Sequence, residues 1–97
     1  MLTDRCASAA ALVIAASELE ATHGLLWLVM VTSAANRGWP GDVAVSDLGA
    51  AGLPIASIVR PAKIATIEAR DAERLGKLPP PDRRAVRRYL RERLSGL

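Results

Sequence analysis

Leu25 to Thr32 is an unbroken run of apolar, β-branched and aromatic residues that ends at a hydroxyl pair, Thr32 and Ser33. A run of this length and composition fits a strand buried on both faces. Such a strand carries its terminal side chains to the rim of a sheet. The stretch after it, Ala34 to Gly41, brings an amide, a cation and a stacking surface close together in Asn36, Arg37 and Trp39. A polar loop on a rigid strand is where binding and catalytic groups concentrate.

The rest of the chain reads as short strands around this one. Ala9 to Ala16 favours helix by its alanines and strand by Leu12, Val13 and Ile14. Ser17 with Glu20 three positions on is a capping box, which places a strand at about 10–16 and a short helix at 18–23, closed by Gly24. Trp39-Pro40-Gly41-Asp42 signals a turn, and Asp42 to Asp47 alternates as a half-buried strand does. Gly49 to Pro54 reads as a loop. Ser57 to Val59 reads as a brief strand interrupted at Arg60-Pro61, because proline cannot donate to a ladder. Ala62 to Ile67 alternates again, and Leu75 to Leu78 reads as a last strand. Turn signals about every ten residues indicate a small antiparallel barrel or sandwich.

The end of the chain reads as a helix over about 81–95. The prolines at 79 to 81 suit its entry, and Asp82 complements the dipole of its first turn. Val86, Tyr89, Leu90, Leu94 and Leu97 recur at threes and fours, forming a packing stripe. Arg83, Arg84, Arg87, Arg88, Arg91 and Arg93 cover the remainder, either as a solvated face or as a nucleic-acid contact.

Charge follows the same division. Residues 1–59 hold two basic and five acidic side chains, a net of −3, whereas residues 60–97 hold eleven and five, a net of +6. A basic second half suits a polyanion or an acidic partner. No run is long enough for a membrane span and no signal pattern opens the chain, so a cytoplasmic protein is the expectation. The single Cys6 has no internal partner, and no cluster of metal ligands is apparent, so neither a metal nor another cofactor is expected. His23 reads as a helix-end residue and Trp27 as core or dimer interface. Trp39 is open between packing under its loop and contacting a base.

The order of these pieces resembles the MazF/PemK toxins of toxin–antitoxin systems. An ALVI strand, a short acidic helix, a long apolar strand ending in Thr-Ser, WPGDV, GLP-x-x-S-x-VRPAKIATI and RLGKLPP precede a final helix, over about residues 10 to 95. The resemblance implies a mostly β fold with a C-terminal helix, a small SH3-like antiparallel barrel over about 9–78 within a single domain of residues 1–97. It also implies a homodimer and a sequence-specific, metal-independent endoribonuclease acting on single-stranded RNA. Its implied partner is a cognate, MazE-like antitoxin whose C-terminal segment occupies the RNA groove.

Carried across by position, the family's catalytic threonine falls on Thr32, with Ser33 beside it. The Arg-Pro pair that stands before the ALVI strand in the family is here Ala9-Ala10, and the strand preceding that pair is expected to be absent. Arg5 is the nearest upstream cation and the expected replacement. Asn36, Arg37, Trp39 and Lys63 are the residue types that read unpaired bases and hold phosphate. Activity is then expected to be weak or to depend on Arg5. The open alternatives are an impaired relative that binds RNA or antitoxin without efficient cleavage, and a barrel interaction module. An uncovered sheet edge is expected to be closed by dimerisation, by the antitoxin, or by Met1 to Ser8 folding alongside it.

Overall fold

The computed structural model describes residues 2–4, 9–15 and 17–95. The strands are β1 (Leu2–Asp4), β2 (Ala9–Ala15), β3 (Leu25–Ser33), β4 (Val43–Ala44), β5 (Ser57–Glu68) and β6 (Ala72–Arg74). They form one six-stranded antiparallel sheet in the order β4-β5-β3-β2-β1-β6. The sheet curls into a half-barrel. The helices are α1 (Ser17–His23), α2 (Leu48–Ala51) and α3 (Pro80–Leu94). The expected β-rich fold with a C-terminal helix is therefore what the chain adopts. The capping contact expected of Ser17 lies outside the described side chains.

β3 is the central strand. It pairs with β2 on one side and along its whole length with β5 on the other, and Leu26, Leu28, Val29 and Val31 are buried. Val29 and Val31 join Leu12, Val59, Ala51, Leu53, Leu78 and Val86 in one core, so α3 packs through Val86 against the sheet. From Leu28 to Val31 this burial explains the apolar run, since a stretch covered on both sides has no solvent face to make polar.

Four expectations are corrected. The two strands expected on either side of Arg60-Pro61 are the single twelve-residue β5. Its register against β3 jumps from Ile64↔Val29 to Arg60↔Met30, so residues 61–63 form a bulge. Pro61 sits there at no cost in ladder bonds, because a bulge leaves its extra residues unpaired. The alternating stretch from Asp42 to Asp47 contributes only the two residues of β4. Its next residues are taken by α2, which occupies part of the expected Gly49–Pro54 loop, with the Asp47 side chain accepting from Ala50 N and Gly52 closing the helix in the left-handed region. The last strand is Ala72–Arg74 rather than Leu75–Leu78, and Leu78 serves the core from a loop.

The fourth correction concerns the start of the sheet. A three-residue β1 precedes Ala9, contrary to the expected absence, and it pairs with both β2 and β6. Over these residues the edge of β2 is covered by the chain's own N-terminal segment.

Trp27 is 47% exposed and does not belong to the core. Alternation fails to locate it, because β3 is buried on both faces over only part of its length.

Candidate functional site

The end of β3 delivers Thr32 and Ser33, both half-buried, under a short 3₁₀ turn, Ala34–Asn36. Local chemistry fixes both hydroxyls. Ser33 Oγ accepts from Ala35 N at 3.2 Å, which caps the turn. Thr32 Oγ1 accepts from Asn36 Nδ2 at 3.0 Å, a bond spanning the same turn. An oxygen already accepting on one side keeps its own O–H to donate elsewhere. Both hydroxyls are thus arranged as donors at the sheet rim.

Arg60 holds the loop from beneath. It is 8% exposed, and its guanidinium makes a bidentate pair with Asp42, Nε to Oδ1 at 3.1 Å and Nη2 to Oδ2 at 3.0 Å. Nη2 also donates to the Asn36 carbonyl at 2.7 Å. The planar fork of arginine permits this triple contact, which a lysine could not make. Asp42 Oδ2 accepts in addition from the backbone N–H groups of Gly38 and Trp39, at 3.1 and 3.0 Å. Among the described residues, no buried side-chain polar atom lacks a partner.

The Arg60 hydrogen bond is the main cause that holds the Asp42 carboxyl below the ordinary carboxylate value. Burial pushes the other way, and the two backbone donors add to the lowering. The carboxylate is the form that this set of donors requires.

The Arg60 guanidinium carbon lies 4.3 Å from the centre of the Trp39 ring. Trp39 remains 50% exposed, so one part of the indole rests on a cation while another faces solvent. Trp39 is therefore neither buried under its loop nor loose. Arg37 is exposed in the same loop, with its backbone N–H bonded to the Ala34 carbonyl. Lys63 is exposed in the β5 bulge, three residues beyond Arg60, and makes no hydrogen bond to this cluster. The Arg5 assignment lies outside the described residues.

The role of Arg60 and Asp42 is what the sequence did not reveal. Arg60-Pro61 reads as a strand break, and Asp42 as a turn residue. Neither motif signals that an aspartate eighteen positions upstream would clamp the arginine. A signal was present only in the chemistry, since an arginine between Val59 and a bulged proline needs a buried acceptor.

The register shows what faces Thr32. On the β5 side its partner is Ile58. On the β2 side the described pairing runs from Ala15↔Trp27 to Ala11↔Met30, two residues before Thr32 on β3. The cation fixed nearest in the hydrogen-bond network is Arg60, which reaches Thr32 through Asn36. Among the described residues, no group of three metal-ligating side chains is close enough to hold an ion.

An open, curled antiparallel sheet with a hydroxyl-bearing central strand and a basic terminal helix defines a MazF-type fold. The MazE–MazF complex from Deinococcus radiodurans in crystal form III aligns with a TM-score of 0.76 at 24% identity, over 97% of this chain and 90% of that one. Form II of the same complex gives 0.73 at 25% identity, covering 96% and 86%. The Mycobacterium tuberculosis toxin MazF-mt6 gives 0.72 at 18% identity, covering 91% and 87%. No individual curated protein matches the chain. The family model of PemK-like, MazF-like toxins of type II toxin–antitoxin systems matches residues 8–94, and the chain belongs to that family. Its members are generally endoribonucleases.

Proposed function

We propose that the chain is a metal-independent endoribonuclease toxin that cuts single-stranded RNA at the rim formed by Thr32, Ser33 and the Asn36–Trp39 loop. The observation that carries this reading is the hydrogen bond from Asn36 to Thr32, which leaves the threonine O–H to donate outward. Cleavage proceeds by attack of a ribose 2′-oxygen on the adjacent phosphorus, with loss of the 2′ proton and protonation of the departing 5′-oxygen. The products are a 2′,3′-cyclic phosphate and a free 5′-hydroxyl. Thr32 and Ser33 donate to the nonbridging oxygens as negative charge builds, a task for preorganised donors in a fixed loop. Arg5 and Arg37 supply the positive charge at the phosphate, and Lys63 extends it along the strand.

Trp39 offers its exposed surface for base stacking, and the Asn36 and Arg37 side chains offer edge contacts. Arg60 and Asp42 are positioning residues, because they touch the loop rather than the RNA. The partner reading is a MazE-like antitoxin whose C-terminal segment competes for the same rim, acting in the cytoplasm where the RNA is. Trp27 and Ile64, 47% and 48% exposed on neighbouring strands, suit a homodimer contact.

Purified protein incubated with a long single-stranded RNA in EDTA, followed by mapping of the cleaved ends, tests the reading. Cuts recurring at one short sequence are expected. In the same assay Arg5→Ala is expected to lower the rate about a hundredfold to a thousandfold, the usual cost of a lost donor at a transition state. Unchanged cleavage would remove Arg5 from the site.

The alanines at Ala9 and Ala10, where the resemblance leads one to expect an Arg-Pro pair, favour a second reading, a family member that binds RNA without efficient cleavage. Salt-dependent RNA binding with no new ends in EDTA would select it.

A further inference from the structure

The arginines of α3 do not share one face. Val86 is buried against the sheet, and the exposed Arg84 and Arg88, two residues to either side of it, project roughly 160° around the helix from it, toward solvent. Tyr89 and Arg93 lie on another side, the one toward the loop that carries Trp39. The Tyr89 ring packs so closely on Gly41 that a Cβ there would overlap it, and the Arg93 guanidinium carbon stands 5.0 Å from the centre of that ring. Two residues before Gly41, Trp39 has the Arg60 guanidinium 4.3 Å from its own ring centre. Pro40 and Gly41 are thus flanked by two guanidinium–aromatic pairs. The pairs differ in what their donors do. Arg60 spends its N–H groups on Asp42 and the Asn36 carbonyl, whereas Arg93 is exposed and, among the described residues, forms no ion pair.

We propose that Arg93, held over Tyr89, is a phosphate subsite that continues the RNA track from the Thr32 rim past Trp39 and onto α3. This rests on the RNA reading of that rim. A ring positions a guanidinium without a competing carboxylate, so Arg93 keeps its planar donor fork for two phosphate oxygens. Holding the side chain in advance also lowers the ordering cost that a loose surface arginine meets on binding. Phosphate is the anion favoured here because the subsite adjoins a loop whose exposed indole suits a base, and in a single strand each base arrives with phosphates beside it. Glu92, the neighbouring carboxylate in sequence, projects about 100° further round the helix. Arg84 and Arg88 turn away from the loop, so they add to the field of the helix and not to the track.

The test measures binding of the full chain to a mixed-sequence single strand of about fifteen nucleotides, 2′-fluorinated throughout so that no 2′-oxygen can attack. Fluorescence anisotropy is followed from about 50 to 300 mM salt, where each single-strand phosphate contact contributes about 0.7 to the slope of log K against log salt. Arg93→Met should make the slope shallower by about 0.7, and Arg93→Lys, which keeps the charge, should restore it. Arg88→Met removes the same charge from the solvent side of the helix and should leave the slope unchanged. All three alter exposed side chains, so their thermal midpoints should match wild type. An unchanged slope in Arg93→Met, or an equal loss in Arg88→Met, would overturn the proposal while leaving the cleavage reading intact. Absence of salt-dependent binding in wild type would overturn it too, and cleavage of unmodified RNA in EDTA then decides separately whether the rim acts on RNA.

Discussion

The Asp42 carboxylate receives the Arg60 fork and two backbone N–H groups, with both side chains about 10% exposed. Asp42→Asn would leave the guanidinium buried without a counter-charge, which costs about 3 kcal/mol when one member of such a pair is removed. For a domain whose stability is about 5–15 kcal/mol in total, urea denaturation should register this clearly. The pH dependence has a definite sign. The folded carboxyl is lowered, so the native state binds fewer protons than the unfolded chain in the acid range. Its contribution is complete above the unfolded value of about 3.9 and is lost as pH falls through the lower folded value. Stability measured from pH 6 downward should therefore fall in wild type below about pH 4, and fall less steeply in Asp42→Asn. Equal slopes would mean that the pair does not govern the acid limb. At the same scale, Asn36→Ala should slow RNA cleavage by about tenfold or more with little change in stability, because it unties an exposed bond to Thr32.

Between elements, α3 holds the loop that holds the site. Asp82, 6% exposed in its first turn, accepts from both Ser46 N and Ser46 Oγ, at 2.8 and 3.0 Å. Tyr89 lies against Gly41, leaving no room there for a Cβ. The segment between those two anchors carries Asp42, so the helix indirectly places Arg60, Asn36 and Thr32. Asp82→Ala should cost about 1–3 kcal/mol, the penalty for stranding part-buried donors, and should raise hydrogen exchange over residues 41–46. Gly52 adopts φ +75°, and a Cβ would run into the Leu75 carbonyl oxygen. Gly52→Ala is expected to destabilise by about 2 kcal/mol or more, combining left-handed strain with that clash. These contacts explain which elements were legible. Burial on both faces wrote β3 plainly into the composition, and prolines with an apolar stripe marked α3. The length of β5 was hidden, because Pro61 reads as a break unless a bulge is known to receive it. β4 was overestimated because the turn that begins α2 consumes the same alternating residues.

Across the whole molecule the division of charge has a structural meaning. The acidic half builds most of the central sheet, while the basic half supplies the strand under the loop and the helix that braces that loop. Thr32, Ser33, Asn36, Arg37 and Trp39 could be singled out because they lie within eight positions of one another. The Arg60–Asp42 clamp could not, since it depends on a register shift that brings distant residues together. No helix of the described chain is long and apolar enough to cross a membrane. In the proposed cleavage reaction the Thr32 hydroxyl acts as a donor to the phosphate. The direct measurement is the rate of single-stranded RNA cleavage in EDTA for wild type, Thr32→Ser and Thr32→Val, with folding of each verified by its thermal midpoint. The serine variant should remain within about tenfold of wild type and the valine variant should lose about a hundredfold or more. Cleavage by Thr32→Val at the wild-type rate and at the same sites would contradict it.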